Sequence, residues 1–338
     1  MNKSLMSTQL LAGICALALV AGAVQAGPSG LKVINQIKIG GTDGWDYVTV
    51  DSPHHRLYVA HKTSIAAVDL SSGAVTAHFA DADGAHIALP VLDGAEVMIT
   101  HGKADHVTLN DAASGAVLAT IATDAKPDAA IVEPVTGRVF IMANGGNAVD
   151  VLDLASKSIV AHIPVGGAAE AAAVDGAGLV FTHLEDANKL VVIDAQTLKV
   201  KASYAMDDCT EPSGVAFVPA GRLVVSACKN GVARISNADT GAEVASVPIG
   251  QGPDGALYDA ANGLAYIPTR DGNLSVIGFD GGPHLVENVA TKVGARTAAL
   301  DSATGDVYLP TADFGPPATA GDRPAILPDT FEIVVVGR

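Results

Sequence analysis

The chain has 338 residues, of which 49% are hydrophobic and 4% aromatic, with 36 glycines and a formal net charge of −16. So much apolar sequence can bury a large core, which excludes a disordered or collagen-like chain. With 36 acidic against 20 basic side chains there is no basic footprint to attract nucleic acid or anionic lipid, and a polyanion is repelled.

At the N-terminus Lys3 precedes a short apolar run, LLAGICALALVAGAV at 10–24, and Val24-Gln25-Ala26 sets small residues where a signal peptidase cuts. The expectation is a signal peptide over 1–26, cleaved after Ala26, followed by a single domain over 27–338. A retained anchor is the lesser reading, because the run falls short of the ~20 apolar residues of a spanning helix. Ile14 before Cys15 speaks against a lipoprotein. No later segment is long and apolar enough to span a bilayer, so the mature chain, at −17 without Lys3, is expected to be periplasmic or secreted, monomeric and free of the membrane. It keeps an even pair of cysteines, Cys209 and Cys228. An oxidising compartment favours a disulfide between them; the competing reading, a thiolate metal site, has no CxxC spacing behind it.

Self-similarity organises the rest of the chain. Apolar segments open at WDYVTV (45), AHIALP (85), PDAAIV (127), AEAAAV (169), PSGVAF (212), PDGALY (253) and ARTAAL (295). A second series, Asp69, Asp111, Asp153, Asp194 and Asn237, ends apolar strands and opens turns such as DLSSG and DAASG in the same register. Each repeat reads as four short strands separated by Gly/Asp/Asn/Ser turns. Seven such repeats predict an all-β, seven-bladed β-propeller. Residues 31–40 (LKVINQIKIG) read as a fourth strand with nothing before it, and the last repeat lacks a fourth strand after FEIVVVG. Pairing of the N-terminal strand with the C-terminal blade is therefore expected to close the ring.

The pattern PDGA (253–256), GLAYIPT (263–269) and VVIDAQTLKV (191–200) resembles the YVTN-repeat, YncE-like periplasmic seven-bladed propellers, and the resemblance spans residues 31–338. It implies the fold. It leaves activity open, because propellers host binding proteins, lactonases, lyases and metal enzymes. Where the family has Thr-Asn after Tyr-Val, this chain has LYVAH ending at His61, VMITH at His101 and LVFTH at His183.

In a four-stranded blade the start of the first strand and the end of the second share a face. The channel mouth is therefore expected to carry Asp46, His86, Asp128, Glu170, Ser213, Asp254 and Arg296, read as candidate ligand-binding residues. His61, His86, His101 and His183 are candidate metal ligands, since imidazole and carboxylate suit Zn, Cu or Fe. The opposing reading makes the strand-end histidines solvated residues, too far from the axis to converge. Asp128 and Asp254 follow Pro and admit an Asx-turn role. Arg296 either balances the acidic ring, with Glu170 as a partner, or grips a ligand carboxylate. His54, His55, His78, His106, His162 and His284 receive no role.

Residues 311–329, with four prolines, form a long loop on the same face and read as a candidate lid. No nucleophile elbow, P-loop, HExxH helix or dinucleotide fingerprint is present, so the catalytic residues are unassigned. The leading reading is an exported binding or scaffold protein that holds a small ligand, a metal ion or a periplasmic protein on its His/Asp-rich face. The alternative is a metal-dependent enzyme, a lactonase-like hydrolase or lyase. Single-stranded nucleic-acid binding, implied by the YncE resemblance alone, is opposed by the charge and by the lone Trp45.

Overall fold

Turn chemistry sets the period of the chain. In five repeats an Asx side chain accepts a hydrogen bond from the backbone N–H three residues on: Asp69 from Ser72, Asp111 from Ser114, Asp153 from Ser156 and Asp194 from Thr197 at 2.8 Å, and Asn237 from Thr240 at 3.0 Å. The backbone then passes through a left-handed residue, Gly73, Gly115, Lys157, Leu198 or Gly241, and returns as the outer strand.

The computed structural model describes Met1, residues 28–317 and residues 324–338; the expected signal peptide and its cleavage site lie outside the described residues. The strands in chain order are β1 (Lys32–Lys38), β2 (Val48–Asp51), β3 (Arg56–Asp69), β4 (Val75–Val91), β5 (Glu96–His101), β6 (His106–Asp111) and β7 (Val117–Ala122). Then come β8 (Pro127–Glu133), β9 (Arg138–Ala143), β10 (Ala148–Asp153), β11 (Ser158–Pro164), β12 (Ala169–Val174), β13 (Leu179–Leu184), β14 (Lys189–Asp194) and β15 (Lys199–Ala205). The last are β16 (Pro212–Val218), β17 (Leu223–Cys228), β18 (Val232–Asn237), β19 (Glu243–Pro248), β20 (Leu257–Asp259), β21 (Leu264–Thr269), β22 (Asn273–Gly278), β23 (His284–Ala290), β24 (Ala299–Leu300), β25 (Val307–Thr311) and β26 (Glu332–Gly337).

These strands form an all-β propeller of six sheets, five four-stranded and one six-stranded, β2-β3-β4-β5-β6-β7. The expectation of seven blades is corrected here. Repeats 1 and 2 merge because residues 80–85 fold back onto the short His61–Ser64 link, pairing Lys62 with Ala85, Ser64 with Asp81 and Ile65 with Ala80. With neither a glycine turn in that link nor a bulky side chain in ADADGA, the backbone groups pair instead of looping out. β1 pairs antiparallel with β26, Lys32 opposite Gly337 and Lys38 opposite Glu332. That pairing supplies the outer strand of one of the six sheets; it is not the closure of a seven-bladed ring.

The core lies between neighbouring sheets. Phe140, Val149 and Val151 of one sheet pack with Val180, Val191 and Ile193 of the next, and the rings of Phe181 and Phe217 stack at 5.5 Å across the following pair. Outer strands such as Val117–Ala122 and Glu243–Pro248 are mostly exposed, whereas third strands such as Ala148–Asp153 are buried almost throughout. Burial thus falls from the centre of each sheet to its rim, as it must when sheets pack face to face. No helix among the described residues is long and apolar enough to cross a membrane.

Cys209 and Cys228 form a disulfide, Cα–Cα 5.1 Å, 19 residues apart, and both are fully buried in an inter-sheet core. Closing a loop of that length stabilises by about 3 kcal/mol in the chain-entropy model. The double variant Cys209→Ala/Cys228→Ala is expected to lose about that much in urea unfolding, and reductant is expected to lower the wild-type midpoint and leave the variant unchanged.

Candidate functional site

Four of the first strands, β4, β8, β12 and β16, begin with a slipped register. On β8 the pairing jumps from Pro127 opposite Ala143 to Ala130 opposite Ile141. β12 jumps between Ala169 and Ala172, β16 between Pro212 and Gly214, and β4 between Ala85 and Ala88. The residues inside these irregularities include Asp128, Glu170, Ser213 and His86. A bulge frees a side chain from the alternating pleat and re-aims it, and of these four residues His86 lines the cavity at the channel mouth.

Asp46, His86 and Asp128 converge there. His86 Nδ1 lies 2.6 Å from Asp46 Oδ2 and 3.3 Å from Asp128 Oδ1. The single Nδ1 proton serves the shorter contact, so Asp128 Oδ1 is left buried without a hydrogen-bond partner. Arg296 donates from Nε to Asp254 and stands 3.8 Å from Asp46 Oδ1 through Nη2; it does not pair with Glu170. Glu170 instead accepts from Asn144 Nδ2 at 3.1 Å, while Asn144 Oδ1 accepts from Lys126 Nζ at 3.1 Å. Ser213 Oγ donates to the Pro253 carbonyl at 3.0 Å. The Asx-turn reading does not describe Asp254, whose carboxylate accepts from Arg296.

Crowding of carboxylates in a poorly solvated ring governs their protonation. Burial first, and the charge of Asp46 second, push the Asp128 carboxyl well above its usual range. Burial and then Asp128 and Asp254 do the same to Glu170. Burial raises Asp254 as well, against the opposing pull of Arg296. Tyr47 belongs to this ring although the sequence reading passed over it. Its buried hydroxyl has no hydrogen-bond partner, and burial, with Glu170 and Asp128 behind it, holds the phenol well above its ordinary pKa.

The remaining histidine candidates do not join His86. His61 stacks on Phe331 at 4.4 Å and points Nε2 at the Asp43 carbonyl, 3.0 Å away. His101 accepts the Asp83 N–H at Nδ1, meets Thr108 Oγ1 through Nε2 at 3.0 Å, and stacks on His106 at 4.3 Å. His183 is fully buried, with Nε2 2.8 Å from Ser226 Oγ. The four-histidine metal set is therefore not assembled: three of its members sit apart, each occupied by groups other than His86. Burial keeps all three neutral. It lowers His61, pushes His101 down to about 4 and His183 down to about 3.

A cavity of ≈ 580 Å³ opens over the mouth. Asp46 and His86 lie in its wall together with Trp45, Val293, Phe314 and Ile326, and five cations line it: Lys62, Lys103, Lys126, Arg270 and Arg296. The sequence carried a signal for this rim: Lys62 and Arg270 directly follow, and Lys103 follows by two, the strand-end residues His61, Thr269 and His101. The apolar wall comes partly from the legs of the 311–329 loop. Phe314 bridges to Ile326, Gly315 N–H donates to Ala325 O and Leu327 N–H to Asp313 O at 2.8 Å, and Phe314 lies 6.0 Å from the Trp45 ring. The loop tip, residues 318–323, lies outside the described residues.

No family model and no curated protein matches the sequence. Among solved structures the chain is similar to hydrazine synthase of Kuenenia stuttgartiensis, at 16% identity and TM-score 0.69 over 86% of this chain and 96% of that one. It is also similar to a chain of the mitotic checkpoint complex, at 16% identity and TM-score 0.69 over 99% of both. At that identity the likeness shows the β-propeller fold alone.

The buried histidines give the fold an acid limit. Above pH 6.5, the ordinary value of an unfolded histidine, His183 is neutral in both states and its contribution is whole. Below it the unfolded chain takes up a proton that the folded site refuses until about pH 3, so the contribution of His183 falls as pH falls. The raised carboxyls Asp128, Glu170 and Asp254 act in the opposite sense, so the test is a difference: the melting temperature of His183→Gln relative to the wild type is expected to rise as pH falls from 6.5 to 4.

Proposed function

We propose that this protein is an exported binding propeller whose channel-mouth cavity holds a small organic anion with an apolar body. The observation that carries this reading is the gathering of five of the chain's 20 Lys and Arg side chains around one cavity in a protein of net charge −16. Such a concentration of positive charge against the overall field focuses anions locally. The walls of Trp45, Val293, Phe314 and Ile326 supply apolar area, as small-molecule sites do. Arg296 is held by Asp254 and Asp46, so its fork is oriented before a ligand arrives, and Lys126 is steadied by Asn144.

Trp45 is the single tryptophan of the chain and lines the cavity, so its fluorescence reports occupancy directly. Titration with aromatic and aliphatic carboxylates and phosphate monoesters is expected to shift it. Lys62→Glu/Lys103→Glu is expected to weaken the response about tenfold or more, and added salt is expected to weaken it in the wild type. A signal that moves only with amines or neutral sugars would overturn the reading.

The finer placement in the YVTN-repeat, YncE-like group belongs to the same proposal and is supported by the repeat motifs at 191–200 and 253–269. Export is supported by the Cys209–Cys228 disulfide, a bond that persists in oxidising compartments. Intact mass of the protein recovered from the periplasm is expected to match a chain that begins at Gly27; a chain that still carries Met1 would contradict the signal peptide.

A further inference from the structure

We infer that Asp46, His86 and Asp128 form a divalent transition-metal site at the floor of the cavity, a ligand set different from the histidine quartet considered above. One carboxylate oxygen from each aspartate and His86 Nδ1 all lie within 4.8 Å of one another, from three separate repeats. Ligands held about 2.0–2.2 Å from a tetrahedral or octahedral ion stand roughly 3.0–3.5 Å apart. The Nδ1–Asp128 separation of 3.3 Å already has that value. The 2.6 Å Nδ1–Asp46 separation is the hydrogen bond that the ion would replace, the ring proton passing from Nδ1 to Nε2 so that neutral imidazole ligates through Nδ1.

A second observation points to a missing partner. The Asp128 side chain is only 7% exposed, yet its Oδ1, aimed at the other two ligands, has no hydrogen-bond partner. A buried carboxylate oxygen without a partner is costly, and a cation at the centre of the three atoms removes that cost. An imidazole with two carboxylates suits Zn or Mn over Ca or Mg, which take oxygen ligands. His86 is seated by Gly102, where a Cβ would stand 2.6 Å from the ring. Asp46 and His86 both reach the cavity wall, so the position left open by three protein ligands faces the cavity. The site does not depend on the identity of the organic anion.

Calorimetric titration of the untagged full chain, stripped with EDTA, with Zn or Mn and no organic ligand is expected to show one equivalent bound. Ca and Mg are expected to bind far more weakly. Asp128→Asn removes one ligand while keeping the shape of the side chain, and is expected to lose at least about 100-fold in affinity while melting no lower than the wild type in EDTA. Gly102→Ala touches neither carboxylate and is expected to weaken binding by displacing His86. Absence of a one-to-one site in the wild type, or equal affinity in the wild type and Asp128→Asn, would overturn the proposal. Either result leaves the Trp45 titration with anions unaffected, so the two readings fail separately.

Discussion

The slipped register at the head of four first strands is the constraint on which the placing of His86 and Asp128 depends. In a regular ladder the side chains at 86, 128, 170 and 213 would each be fixed to one face of their sheet. The irregularity frees these positions from the pleat, and the repeat then delivers the same displacement around a common centre. The cost falls on the ladder, which gives up pairing at these positions. Neighbouring repeats are tied together at these strand heads: Tyr47 N–H donates to the His86 carbonyl at 3.0 Å, Thr297 Oγ1 to that of Asp46, and Ser213 Oγ to that of Pro253. Function and assembly are coupled here, because the groups that complete one repeat's site belong to the next.

Once the acids are gathered, burial decides their state. Asp128, Glu170 and Asp254 sit where charge is poorly solvated; Asp46 and Asp254 make Asp128 harder to ionise, and Asp128 and Asp254 do the same to Glu170. Arg296 offsets part of this through Asp254 and Asp46. Above the ring the sign reverses, with lysines and Arg270 around the cavity. An acidic floor under a cationic rim can hold a cation below and an anion above. The same burial that raises the acids lowers the histidines, so His101 and His183 act in the structure as neutral hydrogen-bonding and packing groups.

Much of the fold was legible from spacing. The Asx series at 69, 111, 153, 194 and 237 marks a turn whose hydrogen bond is local, from side chain to the backbone three residues on, and a local interaction leaves its trace in sequence. The cysteine pair was legible because both residues bound one short stretch of a single repeat. The count of sheets was not, because the pairing of residues 80–85 onto 62–65 depends on what a short link does when it has no glycine turn. The histidine quartet misled for a related reason. Second-strand positions lie one strand spacing, about 5 Å, farther from the axis than first-strand starts, so His61, His101 and His183 stay apart where Asp46, His86 and Asp128 meet.

By itself the sequence determined a β-propeller built of short strands and the pair that forms the disulfide. Both follow from interactions within one repeat or from its recurrence. Only the tertiary structure decided that His86 meets two aspartates, that Arg296 answers Asp254 and Asp46 instead of Glu170, that Tyr47 lies buried among the acids, and that five cations share one cavity. Those are contacts between residues tens to hundreds of positions apart, and their geometry depends on how neighbouring sheets pack, which no local pattern records.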